Sequence, residues 1–169
     1  MPTPPLTPLA AAVLRVVPAP ERVLEIECGD GDAALFLARE FPAARVRGID
    51  PAPELVHAAT ARVGLDPEGR VAFKQGRSSS LPYPDAFFDL VVLIDGRPAV
   101  AEIARALRPG GWLILVESRR REERGGLAGW LRRRRLARHR FEPVAAEAAG
   151  DGSFSVARLA GAGAAAPGE

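Results

Sequence analysis

The chain is poor in the residues that make redox, metal or membrane proteins. Its 169 residues include one cysteine, one methionine, one tyrosine, one lysine and two histidines. The lone Cys28 excludes an internal disulfide and leaves no metal cluster, and His57 and His139 are too far apart in sequence to suggest a ligand pair. A reducing, cytoplasmic setting is the default expectation. No apolar run approaches the ~20 residues a membrane span needs. The N-terminal stretch MPTPPLTPLAAAVLRVVPAP is apolar, but prolines interrupt it, it lacks a basic start and it carries Arg15, so it reads poorly as a secretory signal. The scarce lysine stands against 22 arginines and abundant alanine, which points to a GC-rich genome and carries no chemistry.

What is present is a repeating alternation. Residues 23 to 31, VLEIECGDG, run from an apolar strand into a glycine turn flanked by acids. Gly29 and Gly31 give that turn backbone freedom and let a ligand or the next helix approach closely. From Asp32, DAALFLAREF spaces Leu35, Ala38 and Phe41 at helical intervals, so the turn hands free amides to a helix start. A second strand, Ala44 to Ile49, ends at Asp50, whose carboxylate suits a pair of ribose hydroxyls. A helix over Ala52 to Val63 follows, then strands over Arg70 to Gln75 and Phe88 to Ile94. A helix over Pro98 to Leu107 closes at ArgProGlyGly, and a fifth strand covers Trp112 to Glu117. Strand and helix in alternation predict a single α/β domain with a doubly wound, mostly parallel sheet. After a basic helix, Phe141 to Glu147 and Ser153 to Leu159 read as a hairpin turned through Gly150 to Gly152. A nicotinamide-binding turn would want a third glycine where this chain has alanine after Gly29 and Gly31, which makes that reading the weaker one.

Taken in order, Glu25-Ile26-Glu27-Cys28-Gly29-Asp30-Gly31, Arg47-Gly48-Ile49-Asp50, LPYPDAFFDLVV (Leu81 to Val92) and ALRPGGWLILVE (Ala106 to Glu117) resemble the motifs of the class I S-adenosylmethionine-dependent methyltransferases, across roughly residues 20 to 120. The resemblance implies a seven-stranded sheet with an antiparallel C-terminal strand and S-adenosylmethionine as cofactor. It implies a cofactor site built from Glu25, Glu27, Cys28, Gly29, Asp30, Gly31, Asp50, Pro51, Arg77 and Ser78. In it Glu25 orients the methionine end and the glycine loop, Asp50 holds the ribose, and Arg77 and Ser78 flank the adenine. The strand-four and strand-five segments are most similar to the small-molecule and quinone-type branch. Ile94 to Pro98 lacks the Asn/Asp-Pro-Pro-aromatic motif of many amine-methylating enzymes of nucleic acids and proteins. Two positions depart from the pattern: Glu27 stands where the family usually has its first glycine, and Arg77 where many relatives carry an acid toward the adenine amine. The alternative is therefore a non-catalytic binding or regulatory module with a degenerate site, in which Arg77 is a conceivable partner for Glu27.

Methyl transfer needs in-line placement of the acceptor and a dry site more than a dedicated base. Should a base be used, Asp95, just past the fourth strand, is best placed, although Asp95-Gly96 is equally a turn pair. Cys28 has no adjacent histidine and reads as a small packing residue. Asp89, at the far end of its strand, reads as structural, His57 as a partly buried structural side chain, His139 as solvated, and Ser78 to Ser80 as loop. Charge is uneven: ten arginines and two glutamates lie between Arg119 and Arg140, a local +8 that leaves −6 for the rest against the formal +2. That segment suits a solvated helix on the sheet, an anionic substrate or membrane surface, or, least well, nucleic acid. The expected organisation is an N-terminal helix or cap over residues 1–20, with Leu6 to Val17 helical, a methyltransferase-like domain over 21–160 and a disordered tail over 161–169.

Overall fold

The structure is a computed structural model, and it describes residues 6–64, 68–118 and 126–161, with the side chains of 126–131 outside the description. Five helices and seven strands occur among the described residues, in the order α1 (Leu6–Val13), β1 (Arg22–Ile26), α2 (Asp32–Glu40), β2 (Arg45–Asp50), α3 (Pro53–Val63), β3 (Val71–Gln75), β4 (Phe88–Ile94), α4 (Val100–Ala106), β5 (Leu107–Ser118), α5 (Gly126–Arg138), β6 (Phe141–Ala149) and β7 (Gly152–Leu159). The strands form one sheet in the order β3-β2-β1-β4-β5-β7-β6. Strands β1 to β5 pair in parallel, and β7 runs antiparallel between β5 and β6. The antiparallel C-terminal strand expected from the sequence is thus present, but it lies inside the sheet and β6 forms the edge.

Apolar alternation divides the core between the two faces. Val23, Leu90, Val92, Ile114, Val116 and Phe154 point to the face covered by α1 and α2, while Leu24, Ile26, Val91, Leu113, Leu115 and Ala157 point to the α4 face, where Leu136 of α5 also packs. The central strand β4 has six of its seven residues buried, as a strand covered on both sides requires. At its amino end, Asp89 Oδ2 accepts the Glu21 and Arg22 amides at 2.7 and 2.9 Å, and Oδ1 pairs with Arg108 Nε at 2.9 Å. That buried carboxylate ties the start of β1 to β4, away from the carboxyl edge, in the structural role read from the sequence.

Three boundaries differ from those expected. Helix α1 ends at Val13; Arg15 and Val16 donate three residues back, and this tighter turn brings Val16 into the core. Helix α4 starts at Val100, and the ArgProGlyGly segment is no loop. Strand β5 begins at Leu107 directly after α4, with a register shift opposite Phe88 and Leu90 absorbing the irregularity. Gly110 permits this with a φ of +78°, and a side chain on Gly111 would come within 2.9 Å of the Arg108 carbonyl. His57 is exposed on α3, because the helix packs through Ala59 on its opposite side. His139 is exposed, as expected for a histidine among arginines. Much of the basic segment, residues 119–125 and the side chains to 131, lies outside the described residues, as does the tail from 162.

Candidate functional site

In a parallel sheet the carboxyl ends of neighbouring strands open a crevice where chain order reverses. Here that point lies at β1, between β2 on one side and β4 on the other. The glycine turn leaves β1 at this edge. The Cys28 amide extends the ladder by donating to the Ile49 carbonyl at 2.9 Å, Gly31 donates back to Cys28, and α2 starts from Gly31 with a φ of +87°. A Cβ on Gly31 would meet the Phe73 ring at 2.7 Å, and one on Gly48 would meet the same ring at 2.4 Å and Cys28 Sγ at 3.0 Å. One reason for these glycines is therefore internal: Phe73 of β3 lies against them.

Asp50 holds this edge together. Its Oδ2 accepts the Gly29 amide at 3.0 Å and its Oδ1 the Ala52 amide at 2.9 Å, so one buried carboxylate fastens both the glycine turn and the entry to α3. Each oxygen has a second lone pair for a ligand hydroxyl. Asp30 and Asp32 are held from α3 by Arg62, whose Nη1 lies 3.3 Å from Asp30 Oδ2 and whose Nη2 bonds Asp32. Pro51 is exposed and its carbonyl accepts Gln75 Nε2 at 3.0 Å. Arg77 is exposed and Ser78 half-buried, in a loop closed by the Arg77–Ser80 bridge beyond β3.

Glu25 is the unusual group. It is 3 % exposed on the α2 face of β1, flanked by Gly48 and Val92, and its Oε2 has no hydrogen-bond partner. Burial pushes its carboxyl up to about 8; the Ala34 amide opposes this, and the neighbouring Asp30, Asp32 and Asp50 add to the rise. Burial likewise drives the Cys28 thiol well above the usual cysteine range, with Glu25 and Asp50 contributing, which disfavours the thiolate a nucleophile needs. An orphaned buried carboxyl oxygen, a carboxylate at the β2 end and a glycine turn between them fit a ligand with a ribose and a cationic amino-acid end.

Glu27 is exposed at the end of β1 with a φ of +58°, a conformation that favours glycine. Its Oε2 lies 2.8 Å from where a Gly96 Cβ would sit, so the side chain turns across the crevice toward β4. Arg77 lies beyond β3, on the other side of β1, so the Glu27–Arg77 pairing considered from the sequence does not match this orientation. Asp95 also has positive φ, +53°; its Oδ1 accepts the Ser118 amide at 2.7 Å and its own amide donates to Val116, joining the ends of β4 and β5. No pattern in the residue order signals that Arg132 of α5 bonds Glu117 of β5 beside a cavity of about 290 Å³ that Ser153 and Ser155 also line. Fifteen residues separate that pair, and only the docked helix brings it together.

Residues 23–111 match the methyltransferase domain family. The chain is 35% identical over 115 residues to a demethylmenaquinone methyltransferase of Deinococcus radiodurans, covering 64% of this chain and 47% of that one. It is 33% identical over 108 residues to a fatty-acid O-methyltransferase of Mycolicibacterium smegmatis, covering 60% and 38%. The chain thus spans about half or less of the length of these curated relatives. A crystal structure of an S-adenosylmethionine-dependent methyltransferase from Aquifex aeolicus superposes with a TM-score of 0.73 at 18% identity, over 90% of this chain and 89% of that one, a likeness of fold. With the motif order and the seven-stranded topology, the match over residues 23–111 makes this chain a member of the class I S-adenosylmethionine-dependent methyltransferase family.

Proposed function

We propose that the protein binds S-adenosylmethionine at the carboxyl edge of β1, β2 and β4 and transfers its methyl group to a small-molecule acceptor. The observation that carries this reading is Asp50, a buried carboxylate that fastens the glycine turn and keeps lone pairs for a ribose. When bound, the cofactor supplies an electrophilic methyl group on a sulfonium. The chain's contribution is placement: Asp50 and the Gly29 to Gly31 turn hold the nucleoside, Glu25 and Glu27 flank the amino-acid end, and Pro51, Arg77 and Ser78 border the adenine side. The named relatives act on a demethylmenaquinone and on fatty acids, which favours an apolar small molecule over a macromolecule as acceptor. Titration with S-adenosylmethionine, its demethylated product and NAD tests the reading. Saturable binding of the first two without NAD is expected, and binding of NAD alone contradicts it.

Asp95 acts in this reading as a positioning residue. Asn tolerates its positive φ and keeps an acceptor for the Ser118 amide. Asp95→Asn is therefore expected to leave cofactor affinity and turnover within about twofold, at the ~0.4 kcal/mol level at which structure is unperturbed. A turnover loss of a hundredfold or more with affinity retained would make the carboxylate a general base.

Arg133, Arg135 and Arg138 are exposed on α5, with no acid on that helix. This supports attraction to an anionic membrane surface, where each basic residue contributes about 1 kcal/mol. Co-sedimentation with phosphatidylglycerol vesicles in low salt, lost at 0.5 M salt or on changing these three residues to glutamine, is expected. Equal sedimentation of the triple variant would assign the helix to packing alone. Among the described residues no helix is long and apolar enough to cross a membrane.

A further inference from the structure

Beneath α5 the sheet face carries small side chains. Cross-strand pairing places Leu115 of β5, Ser155 of β7 and Ala146 of β6 in one row on that face, and Glu117, Ser153 and Ala148 in the next. A helix seated on a sheet reaches the density of a protein interior when side chains of leucine or valine size meet between them, and two serines and two alanines fall short of that. Arg132 reaches over the gap from α5, and a cavity of about 290 Å³ remains. That is the volume of roughly ten liquid waters, or of one substituted ring. Ala146 and Ala148 are exposed at the sheet edge and give the cavity its mouth, while Leu115 is buried at its inner wall.

The charges around this cavity are offset from within the protein. Arg132 bonds Glu117, and Glu147 at the rim is held at 2.6 Å by Arg15, just beyond α1. An anion entering the cavity would face Glu117, and a cation would face Arg132. Either would lose hydration without gaining an uncompensated partner. What the lining offers beyond that pair is neutral: two serine hydroxyls that each donate and accept, on alternate residues of β7 about 7 Å apart, with the alkyl surface of Leu115, Ala146 and Ala148 beside them.

The geometry points to a second small-molecule site, between α5 and the β5–β7–β6 face, for an uncharged ring that carries hydroxyl groups at its two ends. The ring lies on the alkyl surface, and each hydroxyl reaches one serine. This site is separate from the crevice at β1, β2 and β4. Strand β7 stands two strands beyond β4, a separation of about 10 Å, whereas methyl transfer brings the reacting atoms to within about 3.5 Å. A ring held here is therefore out of reach of a donor in that crevice, and the site stands whatever ligand the crevice takes.

Titrations of the parent protein followed by amide NMR shifts test this, with hydroquinone under nitrogen as the probe and benzene, benzoate and benzylamine as controls for apolar and charged rings. Hydroquinone is expected to bind with a millimolar dissociation constant, as suits a ligand of about eight heavy atoms, and to shift the Ser153 to Ser155 amides. Each control is expected to bind at least about fivefold more weakly. Saturating S-adenosylhomocysteine is expected to leave the hydroquinone constant unchanged. Ser155→Leu fills the cavity and is expected to abolish binding. The double variant Ser153→Ala with Ser155→Ala keeps the space and is expected to bind hydroquinone no better than benzene; it decides the matter alone if melting curves show Ser155→Leu unfolded. Unaltered hydroquinone binding in the folded variants, a preference for benzoate or benzylamine, or no binding of any probe in the millimolar range overturns the proposal. Displacement of hydroquinone by S-adenosylhomocysteine overturns it too, by placing the probe in the crevice.

Discussion

Asp50→Ala is expected to lower both the stability of the protein and its affinity for S-adenosylmethionine by more than any other single change at the carboxyl edge. The carboxylate accepts the Gly29 amide at 3.0 Å and the Ala52 amide at 2.9 Å while only 5 % exposed. Removing it strands two backbone donors, and hydrogen bonds to a charged group are worth about 1.5–3 kcal/mol each, partly recovered by water at these half-buried amides. A net loss of about 3 kcal/mol is expected, which lowers the melting temperature by roughly 6–12 °C for a chain of this size. Binding should weaken by roughly a hundredfold or more, since the proposed ribose acceptor and the anchor of the glycine turn are lost together. Asp50→Asn should fall between, because its amide nitrogen opposes one of the two backbone donors. Calorimetry well below the melting temperature separates the two effects; affinity within threefold of the parent would confine Asp50 to a structural role.

The second large effect is in pH. Glu25 is neutral in the folded protein up to about 8, whereas in the unfolded chain it ionises near its ordinary value of 4.5. Between these values the native state holds a proton that the unfolded state has released, so the contribution of Glu25 is fully present below the unfolded value and is lost as pH rises toward 8. The slope is about 1.4 kcal/mol per pH unit, or roughly 4 kcal/mol from pH 5 to 8 as an upper bound. Glu25→Gln keeps the shape of the side chain and removes the titration. Urea unfolding at pH 5, 6.5 and 8 is therefore expected to show the parent losing stability relative to the glutamine variant as pH rises. Parallel pH profiles would mean that Glu25 is hydrated or paired in solution.

Much of this site was legible in the residue order because its backbone is built from strong local signals. Apolar runs ending at Glu27 and Asp50 mark strand ends, and Gly29 and Gly31 mark a turn whose positive φ values few other residues adopt easily. Parallel strands then bring those ends together by topology alone. What sequence could not supply is direction and partnership. The turn of Glu27 toward Gly96 is one case, and the use of Gly31 and Gly48 as a bed for Phe73 is another, since it depends on a side chain of β3, which is paired with β2 and lies two strands from β1. His57 read as partly buried because a histidine among apolar residues resembles a core position; the exposed face of α3 shows that its neighbours Val56 and Ala59 do the packing. The start of β5 is hidden in the sequence for the opposite reason. Proline and paired glycines usually break a strand, and here Gly110 and Gly111 carry the chain through a bulge without leaving the sheet.

The most direct test of a nucleoside site at the β1–β2–β4 edge is a crystal structure of the protein grown with S-adenosylhomocysteine. Adenosyl density above the Gly29 to Gly31 turn, with its ribose hydroxyls on Asp50, is the expected result. A crevice closed by protein side chains, with no adenosyl density at that edge at saturating ligand, would contradict the account.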